Sequence, residues 1–177
     1  VYAEQYLILA QDLNIPFKIA LGRAYKGNLL VRDDNYEAAI QELLLAIQYF
    51  ETVNDSIRMG SVYNSIGAAY EHMSNDSLPL VYFQKSYRIF ATLGIPKQTA
   101  IALNSIGNIH VHRGEFLKSE AFFAEAVSIL KNLEQFQDYY ILINHSLANA
   151  KINLRKFEEA DSIYFQMLRH PKGQDHY

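Results

Sequence analysis

The sequence repeats itself at an offset of 40 residues, and this repeat restricts the fold more than any other feature of the chain. The stretch LNIPFKIA at 13–20 returns as LGIPKQTA at 93–100, two periods later. Glycines align at one position of the repeat and large side chains align at another: Gly27, Gly67 and Gly107, then Leu43, Phe83, Phe123 and, after 41 residues, Tyr164. A period of this length predicts an architecture in which successive units stack on one another.

Each repeat unit predicts two helices joined by a short polar stretch. In one unit, small and apolar residues recur at three- and four-residue steps, as on one face of a helix: Phe116, Ser119, Phe123, Ala126, Val127 and Leu130. Pro16 and Pro96 stand where a first helix is expected to begin, a position that tolerates proline. We therefore predict an all-α fold of about nine helices: an orphan helix over 1–12, hairpins over about 15–52, 55–92, 95–132 and 136–170, and a frayed tail over 171–177.

These spacings of small and aromatic residues resemble the tetratricopeptide repeat (TPR) family. In the unit IGNIHVHRGEFLKSEAFFAEA, Gly107 matches the small residue of the first helix, Gly114 the turn glycine and Phe116 the aromatic that follows. The resemblance is to a long-period variety, since the common period is about 34 residues; HEAT-type repeats reach about 40–47 but lack this spacing. It implies a right-handed α-solenoid of stacked antiparallel hairpins, a single TPR-like domain over 1–177.

Composition narrows the classes of function. Half of the 177 residues are hydrophobic and 20% are charged, as in an ordinary globular protein. The net charge of −3 offers no basic surplus for nucleic acid, and the absence of cysteine excludes disulfides and Cys-ligated zinc. No apolar run approaches the roughly 20 residues of a membrane helix. The chain begins with Val1, and we expect a fragment of a longer protein, cytoplasmic or alternatively the periplasmic segment of a sensor.

No pattern in the sequence predicts catalysis, a cofactor or a metal site. The chain has no nucleophile elbow, no Gly-rich phosphate loop and no HExxH motif. His72 and His112 are one repeat apart and could meet on adjacent first helices, but a metal ion would need further ligands. The expectation is a protein that is not an enzyme and carries no cofactor.

The resemblance implies that the first helices line a concave groove. In the family, the residue three before the conserved glycine and the residue one after it point into that groove. Asparagines dominate these positions here, and a carboxamide can pair with a peptide group both as donor and as acceptor. Together with three neighbours that would set a charge preference, the predicted peptide-binding residues are Asn28, Asn64, Asn104, Asn108, His145, Asn149, Arg32, His72 and His112.

A carboxylate clamp, which is the family's best-known groove, is not expected. The positions that should carry its cations hold Ala24, Asn64, Asn104, Leu21, Ser61 and Ile101. The predicted function is therefore binding of a protein segment or peptide by other means, within the sensor or scaffold part of a bacterial regulatory protein. No nucleic-acid or membrane partner is expected.

Two alternatives remain open. The asparagines could hydrogen-bond to neighbouring helices and stitch adjacent repeats together without any ligand. The chain could also self-associate, for instance as a homodimer, because the last helix carries Phe165 and Leu168, for which we expect no neighbour within the chain.

Overall fold

The computed structural model describes residues 2–73 and 77–168, and within them the chain forms nine α-helices and no strand. In chain order these are α1 (Tyr2–Asp12), α2 (Pro16–Arg32), α3 (Tyr36–Thr52), α4 (Ser56–His72), α5 (Leu78–Thr92), α6 (Pro96–His112), α7 (Phe116–Leu130), α8 (Gln137–Asn153) and α9 (Phe157–Leu168). A short 3₁₀ turn, Glu134–Phe136, precedes α8. The all-α prediction is confirmed, and the tail predicted over 171–177 lies outside the described residues.

The residues at the helix ends recur with the same period as the helices themselves. Pro16 and Pro96 occupy the first turn of α2 and α6, where no backbone N–H is needed. The residue that leads from one hairpin to the next is left-handed in three successive turns, with φ of 48° at Asn14, 53° at Asn54 and 64° at Gly94. Asparagine and glycine tolerate this conformation best. Each of these turns is therefore determined by its local sequence.

The helices group into two compact units, Val1–Ile89 and Phe90–Tyr177, with the boundary inside α5. In the first unit, α1 packs on α2, α2 on α3 and α3 on α4, and α2 also contacts α4. In the second unit, α6 packs on α7, α7 on α8 and α8 on α9, and α6 also contacts α8. Each unit thus places the first helices of two successive hairpins side by side. The single domain expected over 1–177 stays a prediction.

The core of the first unit is apolar and depends on close helix contacts. Leu43, Phe50 and Ile66 are fully buried, and burial of each such side chain stabilises the fold by about 1.5–3 kcal/mol. A β-carbon added to Gly27 would lie 2.6 Å from Leu43 Cγ, and one added to Gly67 would lie 2.7 Å from the ring of Phe83. Only glycine permits this approach of the first helix to the second.

The second unit repeats the same contact. Phe123 is buried, and a β-carbon on Gly107 would lie 2.4 Å from its Cε1 atom. Ser119 and Ala126 are fully buried on the same side of α7, and the hydroxyl of Ser119 donates to the Phe116 carbonyl at 2.9 Å. Small residues around one aromatic ring therefore pack α6 against α7, as the repeat predicts.

Charged side chains join the last three helices of the second unit. Glu120 on α7 accepts hydrogen bonds from Lys151 on α8 at 2.6 Å and from Lys156, next to α9, at 2.7 Å. Burial raises the pKa of Glu120, but the hydrogen bonds from the two lysines outweigh burial and lower the pKa below its usual value. Lys151 also donates to Glu159 on α9 at 2.6 Å. These bonds hold α8 to both of its neighbours.

Gly107→Ala tests the close approach of α6 and α7. The added methyl group must displace the buried ring of Phe123, so we expect the free energy of unfolding to fall by about 1–3 kcal/mol. The fall is expected even though alanine has the higher helix propensity. Urea denaturation followed by circular dichroism measures it.

The double variant Gly107→Ala/Phe123→Leu is the control, because a smaller side chain on α7 makes room for the methyl group. We expect its loss of stability to be smaller than the sum of the two single losses. Strictly additive losses would show that Gly107 is not needed for contact with Phe123.

Candidate functional site

The nine residues predicted to bind a peptide all lie on first helices: Asn28 and Arg32 on α2, Asn64 and His72 on α4, Asn104, Asn108 and His112 on α6, and His145 and Asn149 on α8. Because α2 contacts α4 and α6 contacts α8, each unit carries such residues on two adjacent helices. The structure also separates these residues into groups with different hydrogen bonding.

Four asparagines make no side-chain hydrogen bond to the described part of the chain: Asn28, Asn64, Asn104 and Asn108. Asn28 is exposed and the other three are half-buried. The Oδ1 atoms of Asn64 and Asn104, one repeat apart, are buried and receive no donor. An unpaired buried acceptor costs roughly 1–3 kcal/mol. Within residues 2–73 and 77–168, these four carboxamides do not form the bonds that stitching would require.

Serines on the same helices show the opposite behaviour. Ser61 donates to the Ile57 carbonyl at 3.1 Å, and Ser65 donates to the Ser61 carbonyl at 3.2 Å. Ser146 on α8 likewise donates to the carbonyl four residues before it. These hydroxyls are satisfied by their own helix, whereas the carboxamides beside them keep their hydrogen-bonding groups unused.

The first helix of the fourth hairpin, α8, departs from this pattern. Asn149 Oδ1 accepts a hydrogen bond from the Tyr164 hydroxyl on α9 at 3.1 Å, and its Nδ2 lies 3.1 Å from His145 Nδ1. The rings of His145 and Tyr164 meet edge to face with centroids 5.9 Å apart. Here a carboxamide joins two helices of the same hairpin, so stitching describes Asn149 better than it describes the other asparagines.

Two of the three predicted histidines, His72 and His112, lie at helix ends. His72 is exposed at the end of α4 and stacks on Tyr36 of α3, with ring centroids 5.2 Å apart and planes 5° apart. A hydrogen bond from Tyr36 to Asp34 at 2.5 Å raises the pKa of the phenol, so this ring stays neutral well beyond physiological pH. His112 is exposed at the end of α6. Both predicted roles in charge preference stay predictions.

His110 lies among buried residues. It is 7% exposed, stacks on Phe122 with ring centroids 5.2 Å apart, and its Nδ1 lies 2.5 Å from Glu115. The hydrogen bond with His110 is the main cause that lowers the pKa of Glu115. His110 therefore joins α6 to α7 within the second unit.

Sequence reasoning missed a cavity of about 710 Å³ in the first unit. Two predicted residues, Asn28 and Arg32, line it together with three tyrosines that were not predicted: Tyr2, Tyr6 and Tyr25. One signal was present in the sequence, because the residues that align with Tyr25 at successive repeats are serines: Ser65, Ser105 and Ser146.

Three further observations bear on the other expectations. Within the described residues, no three His, Asp or Glu side chains cluster so that they could hold a metal ion. None of the helices placed between residues 2 and 168 is long and apolar enough to cross a membrane. On α9, Phe157, Phe165 and Leu168 are 57%, 62% and 46% exposed, and self-association through this helix stays a prediction.

Comparison with known sequences finds one regulatory relative. No protein-family model matches the chain. The regulatory protein RapG of Bacillus subtilis (strain 168) is 25% identical over 147 residues, which cover 82% of this chain and 40% of RapG. The chain thus spans less than half the length of that relative.

Comparison with solved structures identifies the fold. BtubC (BKLC) from P. vanneervenii superposes with a TM-score of 0.85 at 15% identity, over 99% of this chain and 72% of BtubC. A kinesin light chain from Podospora anserina with nearly identical TPR-like repeats gives 0.74 at 12% identity, over 93% of this chain and 81% of that chain. The third is a signal-transduction ATPase with a tetratricopeptide repeat sensor from Pyrococcus horikoshii. It superposes with a TM-score of 0.75 at 20% identity, over 85% of this chain and 23% of the ATPase.

The kinesin light chain and the ATPase carry TPR-type repeats and match this chain over most of its length. The predicted resemblance to the TPR family and the predicted class of helical repeat solenoid are confirmed.

Asn64→Ala and Asn104→Ala test whether the unpaired carboxamides support the fold. Each substitution removes a buried acceptor without a donor, so we expect the free energy of unfolding to stay level or rise by up to about 1 kcal/mol. Tyr164→Phe is the matched contrast, because it deletes the donor to Asn149. We expect that change to lower stability by about 0.5–1 kcal/mol.

Thermal and urea unfolding of the three variants measure these differences. A loss above about 1 kcal/mol in either asparagine variant would mean that its carboxamide holds the fold together, which would favour the stitching alternative.

Proposed function

We propose that this chain, a tetratricopeptide-type helical repeat solenoid, is a non-catalytic module that binds an extended segment of protein or peptide on the faces of its first helices. The binding groups are the carboxamides of Asn28 and Asn64 in the first unit and of Asn104 and Asn108 in the second. The ligand's backbone N–H and C=O groups supply the missing hydrogen-bond partners.

The observation that carries the proposal is the unused hydrogen-bonding capacity of these four side chains. Every asparagine has a donor and an acceptor, and a peptide group has the complementary pair. Ser61 and Ser65, on the same helix as Asn64, are satisfied by that helix, so polarity alone does not explain the unpaired Asn64. The buried acceptors of Asn64 and Asn104 cost the free protein stability, which a bound backbone N–H would restore.

Hydrogen bonds alone would give modest affinity, since each contributes a net of roughly 1 kcal/mol. Apolar side chains on the same helices supply further contact area. On α8, Leu142 is 57% exposed and Ile152 is 40% exposed, and on α6, Ile101 and Val111 are half-buried. Side chains of the ligand would pack on these positions while its backbone pairs with the carboxamides.

A regulatory setting fits the comparisons. RapG is a regulatory protein, and the Pyrococcus horikoshii ATPase carries its tetratricopeptide repeats as a sensor. We place the chain in the sensor or scaffold part of a bacterial regulatory protein, in the cytoplasm, where it would bind its partner without chemical change.

The test is an affinity pull-down with mass spectrometry on the whole chain. Asn64→Ala and Asn104→Ala/Asn108→Ala remove carboxamides from the first and second unit, respectively. Gln41→Ala/Gln48→Ala is the matched control, because both of these carboxamides are exposed on the second helix α3. We expect the wild type and the control to capture the same partners. Both asparagine variants should bind those partners at least tenfold more weakly, which is equivalent to about 1.4 kcal/mol.

Circular dichroism must show equal helicity in all four proteins. If both asparagine variants capture the same partners as the wild type, the carboxamides do not bind the ligand and the proposed function is wrong.

Self-association through α9 is a second candidate, favoured by the exposure of Phe165 and Leu168. Large exposed apolar side chains on one helix are typical of interfaces. Multi-angle light scattering over a concentration series should then show a mass above that of the monomer, and Phe165→Glu should abolish the increase. Leu117→Glu is the control, since Leu117 is 68% exposed on α7. A monomeric mass at every concentration would exclude this candidate.

A further inference from the structure

The cavity in the first unit lies between α1 and α2. Tyr2 and Tyr6 project from α1, and Tyr25, Asn28, Leu29 and Arg32 project from α2. Its volume of about 710 Å³ falls in the range of sites that hold small molecules or a few side chains, about 300–1,000 Å³.

Aromatic rings form the walls of this cavity. Tyr6 and Tyr25 meet edge to face with ring centroids 6.3 Å apart, and Tyr2 and Tyr25 are 88% and 51% exposed. Leu29 adds an apolar surface that is 40% exposed. Such a wall suits an aromatic or aliphatic side chain, because ring edges and faces contribute beyond simple burial of area.

Arg32 determines the charge of the cavity. It is the one charged side chain among the residues that line it, and it forms no ion pair within the described chain. Two other cations of α2 are engaged, since Arg23 and Lys26 both pair with Glu42 at 2.9 Å. Tyrosine clusters can also bind cations, but a free guanidinium beside them repels a cation and attracts a carboxylate.

The next repeat has different residues at the positions equivalent to Tyr25 and Arg32. The next repeat replaces Tyr25 with Ser65, which bonds to its own helix, and replaces Arg32 with His72, which stacks on Tyr36. The large buried side chain that faces the glycine is kept through the same step, as Leu43 and then Phe83. Tyr25 and Arg32 are therefore departures from the next repeat, and both line the cavity.

We infer that this cavity binds an acidic peptide segment in which an aromatic or aliphatic side chain enters between the tyrosines and the carboxylate of a neighbouring Asp or Glu pairs with Arg32. The inference rests on the proposed function, because Asn28 belongs both to the cavity and to the carboxamides that hold the ligand's backbone. Since the backbone is held there, the groups that enter the cavity are side chains.

The absence of tryptophan from the protein makes a direct measurement possible. The probe is the blocked peptide Ac-Gly-Trp-Glu-Trp-Glu-Gly-NH2, whose indoles are the sole tryptophan emitters in the mixture. Its uncharged counterpart carries Gln in place of each Glu. Titration with the whole chain, followed by the blue shift and anisotropy of the indole emission, gives the affinity of each peptide.

We expect saturable binding of the acidic probe and about tenfold weaker binding of the Gln peptide. Arg32→Gln should weaken binding of the acidic probe by about the same factor, so that the two peptides bind with equal affinity. Tyr25→Ser, which introduces the residue of the later repeats, should weaken both peptides. Arg88→Gln is the control, because Arg88 is exposed on α5 of the same unit, and it should change neither. Added salt should weaken the acidic probe selectively.

Three results would overturn the inference: no saturable signal up to millimolar protein, equal affinity for the two peptides, or equal affinity of wild type and Arg32→Gln. Displacement of the probe by a thymidine oligonucleotide as readily as by unlabelled acidic peptide would assign the cavity to nucleic acid instead. If the probe does not bind but Asn64→Ala still loses the partners that the wild type captures, this inference is wrong and the proposed function stands. Conversely, probe binding that depends on Arg32 while the asparagine variants keep their partners would confine peptide binding to this cavity.

Discussion

The contact between one glycine and one large side chain sets the distance between the two helices in three of the four hairpins. Gly27 faces Leu43, Gly67 faces Phe83 and Gly107 faces Phe123. In each pair the large side chain occupies the volume that a β-carbon would need, so the first helix presents bare backbone to its partner. Rows of small residues on both helices extend the contact, and burial of the aromatic ring supplies much of its free energy.

This contact also determines what the rest of the first helix can do. Since residues follow one another by about 100° around a helix, the residue three before the glycine lies about 60° from the buried direction, and the residue one after it lies about 100° away. These positions fall at the border of the core, which explains why Asn64, Asn104 and Asn108 are half-buried. Polar groups at such a border lose water without gaining a partner. The Oδ1 atoms of Asn64 and Asn104 are buried without a donor in the described chain, and under the proposed function a peptide ligand would supply one.

The first unit differs from a plain repeat in the residues that the core does not use. Its α2 helix places Tyr25 and Arg32 where α4 has Ser65 and His72. The four side chains stand at equivalent positions, and the first pair lines a cavity in which Arg32 has no ion-pair partner within the described chain. A repeat protein can vary these positions freely because its helix contacts depend on others. Under the proposed function, specificity for a ligand would therefore reside in departures from the repeat, whereas the 40-residue period builds the scaffold.

The sequence by itself determined the helices, their order and the faces that pack, because a 40-residue period and a 3.6-residue helical step are local properties of the chain. It also placed the asparagines on the first helices. Only the tertiary structure decided how each of them bonds. Asn149 meets Tyr164 on α9, while Asn28, Asn64, Asn104 and Asn108 meet no partner in the described chain. The sequence pattern likewise did not predict the contacts of His110 with Phe122 and Glu115. Hydrogen bonds and cavities depend on what stands opposite a side chain in space, and periodicity along the chain does not specify that.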